Sequence, residues 1–442
     1  MTARVVRVSA FTAGCVLVSN MIGTGIFGTT GFMAADLGSP WWILGLWALG
    51  GVYALFGAFS YAELGAAIPR SGGEYVYLRE AYGPIWGFLS GWTSLAIGFS
   101  AAIASAAHLF AGHARELLTP VLGEGSIFLS QIPLALAMLW ALTAVHIIGL
   151  GAGGLLQRIL TVLKVGAILA LLGAGFASSN GDWAHLTAPD ASPSFGIGTL
   201  LVSFMFVTFS FSGWNAASYI ADEIDEPQRN LPRAMLLGTT TVAALYVALN
   251  VVYLYALPLS GLASDPIDLV GQKSAVTLLG SGAGQWFTAL LTISIMGAAS
   301  AMIWAGPRVY HAMATDGVLP AFFADKSKAG VPARSIVLQS LWTSVLVISG
   351  TFETLVLYAS FVLIIFAALA VLSVFVLRAK RPELERPYRT WGYPVVPALY
   401  LALSAAICWA ALTLQPTESF LGLLTVAAGV PVYLWMRRRN TR

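Results

Sequence analysis

Two stretches of this sequence combine glycine, serine and threonine in a way that frees backbone groups to do chemistry. The first, SNMIGTGIFGTTGF at 19–32, crowds Gly23, Gly25, Gly28 and Gly31 into nine residues, with Thr24 between the first two. The second, FVTFSFSGWNAAS at 206–218, sets Ser210, Ser212 and Gly213 among Phe209, Phe211 and Trp214. Both lie inside long apolar runs, where a continuous helix would otherwise satisfy every backbone group. Glycine costs about 1 kcal/mol relative to alanine inside a helix, and serine and threonine offer competing local hydrogen bonds. Each stretch is therefore expected to unwind. N–H groups freed at Thr24, Gly25 and Ile26, with a helix dipole behind them, would face a carboxylate. Carbonyls freed around Asn20 to Ile22 and Phe209 to Ser212 would accept from an ammonium. Neither break holds a charged side chain, so such a pocket suits a zwitterion with a neutral side chain. For either stretch alone, close helix packing through small residues explains the composition equally well.

The elements around the breaks separate these two explanations. Of 442 residues, 58% are hydrophobic and only 10% charged, a balance made for lipid. Apolar runs long enough to cross a hydrocarbon core of roughly 30 Å recur throughout. They predict twelve spans: 9–35, 41–67, 85–113, 128–150, 153–176, 196–221, 234–257, 284–312, 335–351, 354–378, 394–414 and 418–436. The breaks fall in spans 1 and 6, which correspond if spans 1–5 and 6–10 form two inverted repeats of five helices. Close packing supplies no reason for that coincidence. The expected fold is an all-α integral membrane protein with 12 transmembrane helices, a 5+5 inverted repeat and broken helices 1 and 6. Residues 1–378 would form the transport core, and 379–442 helices 11–12 and a cytoplasmic C-terminus. The first span follows only Arg4 and Arg7 and lacks an A-x-A-like cleavage signal, so it is expected to be a retained helix.

Basic residues set the orientation, because positive charge flanking a helix resists translocation. With both termini inside, 20 of the 23 Lys and Arg residues fall on the cytoplasmic side, including Arg70, Arg308, Arg378, Arg439 and Arg442. Arg115 and Lys273 fall outside, and Lys164 lies within span 5. The net charge of +3 is thus topology and calls for no nucleic-acid partner. Cys15 and Cys408 lie inside predicted helices, and no N-x-S/T sequon occurs. A bacterial plasma (inner) membrane is the simplest setting.

At these residues the sequence resembles the amino acid, polyamine and organocation superfamily, and within it the L-type amino acid transporters and their bacterial relatives. The resemblance is carried by IGTGIF at 22–27, YAELGAAIPRSGGEYVYLREAYG at 61–83, FSFSGWNAASYIADEIDEPQRNLPRAM at 209–235 and GPRVYHAMATDGVLP at 306–320. In order and spacing these segments cover most of the transport core. The resemblance implies a leucine-transporter-like fold working by alternating access, with spans 11 and 12 outside the core. It implies that Ile22, Gly23, Thr24, Gly25 and Ile26 hold the substrate backbone and that Phe209 is an aromatic lid on the outer side. Ser210, Phe211, Ser212 and Gly213 would then line the unwound part of span 6. Asn215 stands where L-type members carry a polar residue, and either a substrate contact or a helix-bonded amide fits it. Mammalian L-type members join a single-span glycoprotein heavy chain through a cysteine after span 3. Residues 113–128 contain none, so no disulfide-linked heavy chain is expected.

A charge at the bilayer centre is expensive, which singles out Lys164 in RILTVLKVGAILALL. By resemblance to bacterial relatives whose span 5 lysine replaces a sodium ion between spans 1 and 8, it is expected to be a built-in coupling cation. A lysine snorkelling to the inner interface is the alternative, and a fixed or a titrating cation both fit. Glu63, close to the loop with Arg70, Glu74, Arg79 and Glu80, is expected in a gate network with Phe209 and Trp214 as further gate residues. His108, His146 and His311 have no partners at metal spacing, so no metal or cofactor is expected. Asp222, Glu223, Asp225, Glu226 and Arg229 read as a hinge or as inner-gate ion pairs. No hydrolase or metalloprotease motif occurs, which argues against a membrane enzyme. Sodium-independent exchange of small or medium neutral L-amino acids is the expected function. Proton-coupled symport, facilitated diffusion and a non-transporting sensor are the alternatives.

Overall fold

The computed structural model describes residues 7–123, 126, 129–187, 196–350 and 352–440, with side chains described outside 352–360 and 439–440. Arg4, Arg442 and Phe128, the expected start of span 4, lie outside the described residues, as does the side chain of Arg439. Among the described residues the secondary structure is helical apart from one parallel β-bridge between Val8 and Ile224. Span 1 is two helices, α1 (Ala10–Met21) and α2 (Gly25–Leu37). Gly38, left-handed at φ 58°, ends α2, and Pro40 opens α3 (Pro40–Ala67), where its missing N–H costs nothing. A short α4 (Glu74–Tyr82) leads into span 3, which is α5 (Pro84–Thr93), a π-helical turn (Ser94–Gly98) and α6 (Phe99–Leu122). Spans 4 and 5 are α7 (Gln131–Ile148) and α8 (Leu150–Ala177), followed by the single turn α9 (Ala184–Thr187).

Span 6 is α10 (Ile197–Ser210), an irregular turn and a 3-10 helix (Ala216–Glu223). Span 7 is α11 (Pro227–Ala256), and two short helices follow, α12 (Leu259–Leu262) and α13 (Val270–Leu279). The remaining spans are α14 (Ala283–Thr315), α15 (Ala333–Ser349), α16 (Phe352–Lys380), α17 (Val395–Leu414) and α18 (Pro416–Asn440). Ten of these stretches are long and apolar enough to cross a membrane, and the shorter apolar helices α10 and α15 complete twelve. Large apolar side chains such as Val162, Leu163 and Trp409 are exposed, as a lipid-facing surface requires. The chain is a multi-pass membrane protein.

Packing repeats between the two halves. The second and seventh spans pair as α3 with α11, and the third and eighth as α6 with α14. The fifth span packs on the eighth (α8 on α14), and the tenth correspondingly packs on the third (α16 on α6). The fourth span packs on the third (α7 on α6), and the ninth on the eighth (α15 on α14). This is the relation the inverted repeat predicts, and it sets both broken spans against the α3/α6/α11/α14 frame.

Candidate functional site

The Ser9 hydroxyl caps α1 by accepting from the Thr12 N–H at 3.2 Å, and the helix runs unbroken to Met21. Residues 22–24 then cross to α2 without belonging to either helix, with Ile22 at φ −77°, ψ 86° and Thr24 at φ −81°, ψ −23° as the N-cap of α2. The N–H groups of Thr24, Gly25 and Ile26 meet no backbone carbonyl among the described residues, as the first turn of a helix dictates. Gly25 is required by proximity: a Cβ there would lie 2.4 Å from Ser210 Oγ. In span 6, Gly213 adopts φ 97°, a conformation side chains resist, and a Cβ on it would lie 2.8 Å from Asn20 Nδ2. The two breaks therefore touch each other. Gly28 and Gly31 serve a different purpose. Added Cβ atoms would strike the carbonyl oxygens of Asp268 and Ile267, at 2.7 and 2.0 Å, so these glycines seat the segment between α12 and α13 on α2.

Lys164 projects from α8 onto the end of α1. Its Nζ donates to the carbonyls of Ile22 at 2.6 Å and Ser19 at 3.0 Å, and to Ser19 Oγ at 3.4 Å. On the α14 side it abuts Gly297, where a Cβ would lie 3.2 Å from the ammonium. Fully buried between α1, α8 and α14, the side chain does not snorkel. Tyr246 on α11, which sequence reasoning missed, donates to Met21 O at 2.8 Å and to Ser210 O at 3.1 Å, tying the two breaks together. Of the carbonyls from Asn20 to Ile22 expected to face an ammonium, those of Met21 and Ile22 are therefore already engaged inside the protein.

A cavity of about 320 Å³ adjoins the breaks. Of the residues singled out in the sequence, Gly23, Thr24, Gly25, Phe209, Ser210, Ser212, Gly213, Trp214 and Asn215 line it. Three predicted residues do not. Ile22, Ile26 and Phe211 are 0%, 0% and 1% exposed and turn into the protein, Phe211 against Trp47 and Tyr246. Phe209, which lines the cavity, is 45% exposed. Trp214 is buried against Tyr61 and Tyr400 at the end nearer the N-terminus. The Asn215 amide donates to Glu74 Oε1, which also accepts from Tyr61 OH at 2.8 Å. Glu74, Ser94 and Tyr219 line the cavity without having been expected there. A π-helical turn often marks a functional position, and the one carrying Ser94 is invisible in its sequence.

The amino acid permease family model matches residues 8–430, nearly the whole chain. The chain belongs to that family. This permease is 31% identical to the serine/threonine exchanger SteT of Bacillus subtilis (strain 168), over 96% of this chain and 95% of the relative. It is 28% identical to the Asc-type amino acid transporter 1 of Mus musculus, over 97% and 80% of the two chains. With the large neutral amino acids transporter small subunit 2 of Homo sapiens it shares 29% identity, over 95% and 78%. The resemblance to L-type members within the wider superfamily thus holds over the full length.

The permease is sealed on the side that carries its N-terminus. Arg308 on α14 meets Glu223 at 3.0 Å, both side chains under 5% exposed, and Trp304 Nε1 donates to the same carboxylate at 3.0 Å. Val8 N donates to Glu223 O at 2.7 Å, strapping the N-terminal segment across this pair. Asp316 accepts from Arg70 at 2.6 Å, Arg79 at 2.7 Å and Tyr75 OH at 2.8 Å. Burial, then the Asp316 carboxylate, pushes the Tyr75 hydroxyl far above its usual range, so it stays a donor. Asp222 accepts from Ser71 and lies 3.7 Å from Lys326. The acidic loop after span 6 therefore forms ion pairs.

Glu63 does not join that network, which corrects its assignment to the loop of Arg70 and Arg79. It binds Arg378 at 2.6 Å, Arg386 at 3.4 Å and Thr390 N at 2.7 Å, locking α3 to the end of α16 and to the segment between α16 and α17. His108, His146 and His311 bond to Val347 O, Ser300 Oγ and Phe323 O.

Proposed function

We propose that this permease exchanges small and medium neutral L-amino acids across a bacterial inner membrane, independently of sodium, with both termini cytoplasmic. The observation that carries the reading is the free N–H set at the start of α2, opening on a cavity of about 320 Å³. Thr24 and Gly25 would take the substrate carboxylate, and the carbonyls of Phe211 and Ser212 in the span 6 turn its ammonium. Lys164 links the end of α1 to α14 in the place a bound cation would take, which supports transport without a sodium ion. Phe209 closes the outer side once substrate is seated, and the Glu223–Arg308 and Asp316 networks release in the inward-open state. The exchanger and transporter names of the relatives support the same substrate class. The work is binding and conformational change with no covalent step, so no enzyme activity and no cofactor is assigned. Residues 1–378 form the transport core, α17 and α18 flank it, and Cys15 and Cys408 leave no outer-loop thiol for a linked heavy chain.

Uptake of labelled alanine, serine, leucine, arginine and glutamate into proteoliposomes tests this, with and without internal amino acid and under imposed proton or sodium gradients. Exchange predicts uptake of the neutral three only into preloaded vesicles, indifferent to sodium. Uptake into empty vesicles driven by external acid would replace exchange by proton symport.

A further inference from the structure

Among the described residues lining the cavity, Glu74 is the one with a charged side chain, and it is 6% exposed. Its hydrogen-bond partners among the described residues are neutral: Tyr61 OH at 2.8 Å and the Asn215 amide, both on Oε1, and the Tyr219 side chain. The basic side chains of the same end are committed elsewhere, Arg70 and Arg79 to Asp316 and Arg308 to Glu223. A carboxylate has about four acceptor positions. Removed from water with no counter-ion, it is offset only by donors that reach it. The cavity that Glu74 lines is also lined by Thr24 and Gly25. An amino acid anchored there projects its side chain into a space whose polar wall includes this carboxylate.

We infer that Glu74 is a specificity residue: it favours neutral amino acids whose side chain brings a hydrogen-bond donor, hydroxyl above all, over aliphatic ones of the same shape. The inference rests on the neutral amino acid exchange proposed above and names its preferred substrates. A hydroxyl meets the carboxylate directly or through one bridging water. An aliphatic side chain instead displaces that water and leaves the carboxylate short of donors, the situation in which recognition sites reject an analogue most strongly.

Threonine and valine share a shape and differ by one hydroxyl, so they make the test. Proteoliposomes preloaded with alanine take up labelled alanine while threonine or valine competes at graded concentration. Threonine should inhibit at a concentration about tenfold lower than valine, the usual worth of a hydrogen bond to a charged group. In Glu74→Gln the threonine/valine ratio should narrow to about threefold or less. Tyr61→Phe removes one of the carboxylate's donors and should widen the ratio, which keeps the inference testable if Glu74→Gln does not fold. A wild-type ratio near one, or a ratio that neither substitution moves, overturns the role of Glu74 while exchange itself stands. A cationic competitor such as ornithine outperforming threonine overturns the assignment to neutral donors. Absence of any neutral amino acid exchange sinks the functional reading itself.

Discussion

Individual residues carry the chemistry here through their backbone surroundings more than through their side chains. Gly25 is the clearest case, because Ser210 Oγ occupies the place a Cβ would take. Gly25→Ala should therefore abolish measurable substrate binding. Adding Ser210→Gly should restore part of it, read by equilibrium binding of labelled amino acid to purified protein. Unchanged affinity in Gly25→Ala alone would remove the α2 N-terminus from the site. Lys164→Ala strips the donor from two buried carbonyls, and an unsatisfied buried group costs about 1–3 kcal/mol. Exchange should fall at least about tenfold in protein that still inserts in the membrane, whereas wild-type kinetics would reduce Lys164 to a packing residue. Lys164 was legible in the sequence because a charge inside an apolar run stands out. Glu74 was not: it follows Ser71-Gly72-Gly73 in a charged stretch that reads as a solvated turn, and only tertiary contact with Tyr61 and Asn215 buries it.

At the scale of elements, the existence and place of both breaks could be read from composition, but the direction of their side chains could not. Successive helical residues point about 100° apart, so where a helix stops decides which of Ile22, Ile26 and Phe211 faces the cavity. None of the three does. The glycine signal in span 1 also mixed two causes: Gly23 and Gly25 belong to the break, Gly28 and Gly31 to the fit between α2 and the 266–270 segment. Substitution separates them. Gly31→Ala places a Cβ 2.0 Å from Ile267 O and should destabilise the protein by about 1–3 kcal/mol, a lowered Tm in detergent, with substrate affinity little changed. A loss of affinity without loss of Tm would instead extend the binding element past Ile26.

The whole molecule adopts one state of a cycle, and that state was the least legible property. Twelve spans and their pairing followed from hydropathy and from the symmetric place of the breaks. Which side is closed depends on pairs between distant segments, such as Arg70 with Asp316, 246 positions apart, and no local pattern marks them. Asp316 is the element of that seal most open to test, because among the described residues it is the one that holds Arg70, Arg79 and Tyr75 together. Its arginines are 35% and 29% exposed, so solvent screens both ion pairs and each contributes at most about 1 kcal/mol. Losing both shifts the balance toward the state open on the N-terminal side by about three- to tenfold. The shift is measurable with a membrane-impermeant thiol reagent acting on Ser94→Cys in a chain carrying Cys15→Ala and Cys408→Ala. Applied from the N-terminal side, the reagent should label the Asp316→Ala form about three to ten times faster than the parent. The rate from the opposite side should fall, because the two openings draw on one population. Equal acceleration from both sides would mean that the substitution loosens the fold, and no acceleration would leave the seal to the Glu223, Arg308 and Trp304 cluster with its Val8 strap and to the Asp222 contacts.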